Sequence, residues 1–280
     1  MCGLVGYIES KNSANCSHDI DKAVASLEHR GPDASGKDEF YTNKKVGFGH
    51  RRLSILDISD AGNQPMESFT GRFKIIFNGE IYNHLEIREH IKNTYSFNSW
   101  KSSSDTETLV NLFEFIEFKE ALKLIKGMFA IVLFDLRNNF IYFSRDRIGE
   151  KPLYLSFNES SILFGSELIS LTKFSSFKKD ISMNALSSFF KFNYIPAPQT
   201  IYKSTFKCPQ GKFICIDLNK FMFDKTYDCF DDIFLNDGVS INDYWSSLNL
   251  LDESMIETKE FNEASLNLES IISKAVKNQL

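Results

Sequence analysis

Apolar and polar positions along the chain fall into blocks of two periods, and the blocks predict groups of strands separated by helices. Residues 2–8 (Cys-Gly-Leu-Val-Gly-Tyr-Ile) form an apolar, β-prone run and predict a first strand, and 46–56 predict another. Between them, 19–29 place Ile20, Val24 and Leu27 on one face of a short amphipathic helix. Phe73 to Phe77 predicts a strand running directly into Asn78-Gly79-Glu80, a turn signal, with a helix from about residue 83. In Ser104-Asp105-Thr106-Glu107 either Ser104 or Asp105 is placed to cap a helix carrying Leu109, Leu112 and Phe113.

The middle of the chain predicts hairpins. Phe129 to Phe134 and Phe140 to Phe143 flank a polar Arg137-Asn138-Asn139 turn. Pro152 to Phe157 and Ile162 to Phe164 flank Asn158 to Ser161 in the same way. These runs are nearly continuous in apolar residues rather than alternating, so both faces of each strand should be covered. Two sheets sandwiched by helices are the expected architecture.

From about residue 182 the character changes. A short helix is expected over Met183 to Phe192, followed by Tyr194-Ile195-Pro196-Ala197-Pro198, whose prolines enforce extended backbone. Cys208-Pro209-Gln210-Gly211 predicts a turn before a strand over 212–218. Residues 224–260 are acidic, weakly patterned and linker-like, and a helix closes the chain around Glu263 to Lys277 with Leu266, Ile271, Ile272 and Val276 apolar. The expected domains are 2–185, a connecting segment over 186–260, and 261–280.

Composition narrows the class. Of 280 residues, 42% are hydrophobic and 25% charged, as in an ordinary globular protein. Net charge is −5 and no basic block occurs, so nucleic acid is not an expected partner. The longest apolar run, Met128 to Phe134, is far too short to span a bilayer, and no secretory signal opens the chain; a cytoplasmic protein without membrane partners is expected. The five cysteines contain no CxxC pair and the five histidines do not cluster, so neither a metal site nor a disulfide framework is expected.

The chemistry starts at residue 2. Aminopeptidases remove Met1 when a small residue follows, and Cys2 would then carry both a thiol and a free α-amine. An α-amine has a pKa of about 7.7–8.0 and a cysteine thiol about 8.5, so the amine can take the thiol's proton near neutrality. Nucleophile and base then belong to one residue. The competing reading of Cys2 is a thiol buried in a strand.

Several motifs accompany Cys2-Gly3: His29-Arg30-Gly31-Pro32-Asp33, Gly49-His50-Arg51-Arg52-Leu53-Ser54-Ile55, Asn63-Gln64-Pro65, Phe77-Asn78-Gly79-Glu80-Ile81-Tyr82-Asn83, Ser104 to Glu107, and Arg145-Asp146-Arg147-Ile148-Gly149-Glu150-Lys151-Pro152-Leu153-Tyr154. In this order and spacing the chain resembles the glutamine-hydrolysing asparagine synthases, densely to about residue 180. The resemblance implies a class II glutaminase domain with the N-terminal nucleophile fold, a four-layer αββα sandwich. It implies Cys2 as nucleophile and Asn78 with Gly79 as the oxyanion hole. Glutamine would be bound by Arg52, the backbone of Leu53, Ser54, Ile55 and Leu56, Asn78, Gly79, Glu80 and Asp105.

Physical roles agree with that assignment. The guanidinium of Arg52 suits glutamine's carboxylate and Asp105 suits its ammonium; for Asp105 a helix cap alone is the competing reading, and for Asn78-Gly79 a plain hairpin turn. His29 and His50 invite a triad, but the α-amine makes a histidine base unnecessary. Arg145 to Tyr154 is distinctive of the family and is expected to be structural.

The family's second domain carries a Ser-Gly-Gly-x-Asp-Ser phosphate loop, and these 280 residues contain none. The closing helix is therefore expected to be the first of a missing synthetase domain, with ATP and Mg confined to that domain and no cofactor in this chain. The expected function is hydrolysis of glutamine to glutamate and ammonia for an asparagine synthase-like amidotransferase, with a separate synthetase chain or a homo-oligomer as partner. The alternatives are an amidotransferase acting on another acceptor, such as a cell-surface sugar acid, and an inactive truncated remnant.

Overall fold

The computed structural model describes all residues except 12–14, 224, 248–259, 278 and 280. In chain order the elements are β1 (Gly3–Ser10), α1 (Asn15–Ala25), β2 (Ala34–Tyr41), β3 (Lys44–Arg52), β4 (Met66–Glu67), β5 (Phe73–Ile81), α2 (His84–Tyr95), α3 (Asp105–Phe115) and α4 (Phe118–Leu124). There follow β6 (Gly127–Asp135), β7 (Phe140–Arg145), β8 (Tyr154–Phe157), β9 (Ser161–Gly165), α5 (Leu168–Leu171), α6 (Met183–Phe192), β10 (Thr205–Lys207), β11 (Lys212–Asp217), β12 (Val239–Asp243) and α7 (Phe261–Lys277).

The strands form two antiparallel sheets, ordered β10-β8-β9-β1-β3-β2 and β12-β11-β7-β6-β5-β4. Side chains alternate between the faces of a strand, and in β1 and β6 both faces are apolar. Leu4 and Ile8 of β1 meet Ala130, Val132 and Phe134 of β6 in a core between the sheets. Val5 and Tyr7 point the other way, against Ile20, Val24 and Leu27 of α1. Phe129, Ile131 and Leu133 likewise point outward against α2, α3 and α4. The result is the expected four-layer αββα sandwich, with the near-continuous apolar strands at its centre.

The structure departs from the expected elements in three places. The strand expected over 46–56 ends at Arg52. The pattern of 53–58 invites continuation, yet Ile55, Leu56 and Ile58 are exposed because the backbone turns to wrap carbonyls around the Arg52 guanidinium. Second, β2 is an edge strand whose polar sequence gives little apolar signal.

Third, the connecting segment expected over 186–260 is, as far as Trp245, part of the sandwich. β10 pairs with β8, β11 with β7, and β12 with β11. Phe206, Ile214, Ile216, Phe221, Tyr227 and Phe230 lie in the core between the sheets. The boundary expected at 185 therefore does not coincide with the end of the sheets. The remainder of that segment, 248–259, lies outside the described residues. α7 follows with all described side chains exposed, including Leu266, Ile271, Ile272 and Val276. Among the described residues no helix is long and apolar enough to cross a membrane.

Candidate active site

The antiparallel register of β1 on β3 pairs Gly3 with Arg51, which brings Cys2 beside the end of β3. There the Cys2 thiol meets only backbone: the Leu53 N–H donates to Sγ at 3.4 Å, and Sγ lies 3.7 Å from the Leu53 carbonyl oxygen. Burial pushes the thiol pKa up, more than the Leu53 bond and the neighbouring amino terminus pull it down. A thiol held in that state needs a base to become a thiolate near neutral pH.

No histidine supplies one. His50 is fully buried in β3 and its Nε2 lies 3.1 Å from the carbonyl oxygen of Phe77, across the two sheets. Burial lowers its pKa to about 4, so it is a neutral structural link that donates to that carbonyl. His29 pairs with Glu167 in an exposed position. Arg30, its neighbour, bonds Glu167 and donates from Nε to the Cys2 carbonyl at 3.0 Å, fixing the start of β1. Asp33 accepts from the Ser54 N–H at 2.8 Å, and a Cβ on Gly31 would overlap the Arg51 carbonyl. The His29–Asp33 segment thus frames Cys2 and the start of β1.

β5 supplies the opposite wall. Asn78 is 1% exposed and its Nδ2 has no hydrogen-bond partner among the described residues. An orphaned buried amide is unusual, because leaving such a donor unpaired costs about 1–3 kcal/mol. Next to it, a Cβ on Gly79 would overlap the Met128 carbonyl oxygen and the Phe129 Cα, so glycine is required for close approach of β5 to β6. The Phe77 N–H donates to Gln64 Oε1 at 2.6 Å and the Ile81 N–H to Asp105 Oδ2 at 2.9 Å. By the two-residue period of a strand, the Gly79 N–H lies between them on the same edge, away from β6. Asn78 Nδ2 and the Gly79 N–H are both donors at the pocket.

Arg52 and Asp105 complete the walls. Arg52 donates from Nη1 to the Ser59 carbonyl (2.6 Å) and to Asn63 Oδ1 (2.9 Å), and from Nη2 to the Asp57 carbonyl. That leaves two of the five guanidinium N–H groups for another acceptor. Asp57 in turn accepts from Ser59 and Ser103, tying the 53–62 loop to the segment before α3 and holding its own pKa well below the usual carboxylate range. Ser104, not Asp105, is the N-cap: its Oγ accepts from the Glu107 N–H.

Asp105 opens α3 in a nearly dry position. Burial pushes its pKa up to about 6 against the opposing bonds from Ile81 and Thr106, with Glu80 adding to the rise. Since its folded pKa exceeds the unfolded value, the carboxylate destabilises the fold increasingly from about pH 4 to 6 and fully above that. Asp105→Asn is accordingly expected to stabilise the protein at pH 7–8 by about 1–3 kcal/mol while weakening glutamine binding. If Asp105 binds glutamine's ammonium, as the resemblance implies, wild-type KM should rise as pH falls below about 6 and the carboxylate becomes neutral. Thermal melts and steady-state kinetics across pH check both signs.

The pocket is lined by Cys2, Arg52, Leu53, Ile55, Leu56, Asn78, Gly79, Glu80 and Asp105, bringing together the residues singled out in the sequence except Ser54, which bonds Asp33 instead. It is also lined by Gln64, Thr106, Met128 and Lys151. Gln64 and Lys151 sat inside quoted motifs, but nothing in their residue type announced a role there. Among the described residues no group of three or more His, Cys, Asp or Glu side chains is placed to hold a metal.

Two antiparallel sheets face to face, with helices on both outer sides and a pocket at the start of the first strand, are the architecture of a glutamine amidotransferase domain. Residues 1–228 match the model of the glutamine amidotransferase domain family, and the chain belongs to that family. It is 34% identical over 231 residues to asparagine synthetase (glutamine-hydrolyzing) 1 of Bacillus subtilis, covering 81% of this chain and 35% of that protein. With asparagine synthetase (glutamine-hydrolyzing) 3 of the same organism it shares 30% identity over 285 residues, covering 100% of this chain and 41% of that one. The chain spans less than half the length of the curated relatives it matches. Glutamine phosphoribosylpyrophosphate amidotransferase from B. subtilis superposes with a TM-score of 0.59 at 15% identity, over 88% of this chain and 50% of that chain. That likeness concerns the fold.

Proposed function

We propose that this chain hydrolyses glutamine to glutamate and ammonia with Cys2 as nucleophile after removal of Met1, as the ammonia-supplying part of an asparagine synthase-like amidotransferase. The observation that carries the reading is the orphaned Asn78 amide beside the Gly79 edge N–H, in the same pocket as the Cys2 thiol. Two donors and a nucleophile around one cavity are what amide hydrolysis requires.

In this mechanism the Cys2 α-amine takes the thiol proton and the thiolate attacks the side-chain carbonyl carbon of glutamine. Asn78 Nδ2 and the Gly79 N–H receive the developing oxyanion. The C–N bond then breaks, the α-ammonium returns its proton to the leaving nitrogen, and ammonia departs. Water, deprotonated by the same amine, cleaves the thioester to give glutamate. Arg52 holds the substrate carboxylate, Asp105 its ammonium, and Glu80 with the backbone of Leu53 to Leu56 lines the remaining contact surface. No step of amide synthesis is assigned to residues 1–280.

Because the oxyanion exists only in the transition state, Asn78→Ala should lower kcat by about 10²–10³-fold with little change in KM. Coupled assay of glutamate release measures both constants. A variant with wild-type kcat would remove Asn78 from the oxyanion site.

A further inference from the structure

The Arg145 to Pro152 motif does more than turn the chain. Five backbone N–H groups converge on the Asp146 carboxylate: Ile148, Gly149 and Glu150 bond Oδ1 at 2.7–3.3 Å, and Lys151 and Phe129 bond Oδ2 at 3.0 and 3.2 Å. Arg145 closes the loop from outside, donating to the carbonyls of Lys151 (2.7 Å), Cys208 (2.8 Å) and Gly149. This clamping fixes the backbone of one residue whose side chain enters the active-site pocket, Lys151.

Lys151 is 6% exposed and makes no ion pair among the described residues. Its Nζ lies 3.3 Å from Met1 Sδ, at the amino end of the chain. Burying an ammonium without a carboxylate is costly, so its retention at this spot asks for a purpose. We propose that Lys151 is a positioning residue for the nucleophile, holding a fixed positive charge against the amino end of Cys2. This rests on the reading that Cys2 becomes the first residue.

The consequence is electrostatic. A second positive charge on the α-amine is disfavoured beside a buried ammonium, so the amine stays free to accept the thiol proton. The other charged groups around it are Arg30, bonded to the Cys2 carbonyl, Arg52 at the end of β3, Asp33 before β2, Asp57 in the 53–62 loop, Glu80 on β5 and Asp105 on α3. On the chain with Met1 in place the amino terminus already titrates below its ordinary value. Burial is the first cause, and Arg30 and Lys151 act the same way against Cys2 and Asp33.

The test is the pH profile of kcat/KM for glutamine with the processed protein, for wild type, Lys151→Met, Lys151→Gln and Lys151→Arg. Without the charge, the acidic limb should move up by about one pH unit. Activity near pH 6 then falls roughly tenfold and returns to within about twofold of wild type near pH 9. Lys151→Arg should keep the wild-type limb, and the pH dependence of Cys2 alkylation by iodoacetamide should shift in parallel. A uniform loss at every pH, or a superimposed profile in both neutral variants, overturns the proposal. Failure of the underlying reading looks different: Cys2→Ala would then retain glutaminase activity whatever stands at 151.

Discussion

Cys2→Ala is expected to lose glutaminase activity by a factor on the order of 10⁴ or more while the fold persists. The two halves of that expectation have separate causes. The hydroxyls that line the pocket beside the thiol are engaged: Thr106 Oγ1 accepts from Gln64 and Ser104 Oγ accepts from the Glu107 N–H. Structurally, the thiol makes only two long contacts to the Leu53 backbone, so its removal should cost under about 1 kcal/mol. Intact mass of the active protein should show Met1 absent, and a glutamine-like electrophile should label wild type and not the variant. Retained Met1 in active protein, or undiminished ammonia release from Cys2→Ala, would sink the assignment.

What the sequence made legible follows from how strongly each element was over-determined. β1 and β6 are buried on both faces, so their apolar runs are unbroken and cannot be mistaken for surface. β2 is an edge strand with only one of its eight residues buried, and its Gly-Lys-Asp-Glu stretch carries no comparable signal. Residues 53–58 mislead because Leu53-Ser54-Ile55 continues the rhythm of β3, whereas the path is set by three acceptors gathered on Arg52. β11 is legible as a strand over 212–218, but β10 and β12 are short and only their tertiary pairing, with β8 and β11, distinguishes them from a linker.

The same logic divides the pocket. Cys2, Arg52, Asn78 and Asp105 have side chains whose chemistry can be argued from type and context alone. Lys151 could not be found that way, since a lysine in a Gly-Glu-Lys turn is a solvent residue by default. Its burial depends on Asp146 and Arg145 folding the loop inward. Ser54 illustrates the converse: adjacent to pocket residues in sequence, it faces Asp33 once β3 ends.

Arg52→Ala should raise KM for glutamine by about 30- to 5,000-fold, corresponding to roughly 2–5 kcal/mol for an uncompensated buried carboxylate. The guanidinium is 7% exposed at the end of β3, and three of its N–H groups already hold the Asp57 and Ser59 carbonyls and the Asn63 side chain. The same residue therefore shapes the 53–62 loop and, in the proposed mechanism, offers its remaining donors to the substrate. Lys cannot reproduce this, because one ammonium has three donors at a single point and no planar fork. Arg52→Lys should consequently recover little of the lost affinity. Loop loosening would also displace Leu53, whose N–H touches the Cys2 thiol, so a smaller drop in kcat is expected beside the larger change in KM. Calorimetric glutamine binding in a Cys2→Ala background isolates the ground-state part, since no turnover then complicates the measurement. If Arg52→Ala leaves both that affinity and KM unchanged, the substrate carboxylate is held elsewhere, and the guanidinium serves only to fold the loop.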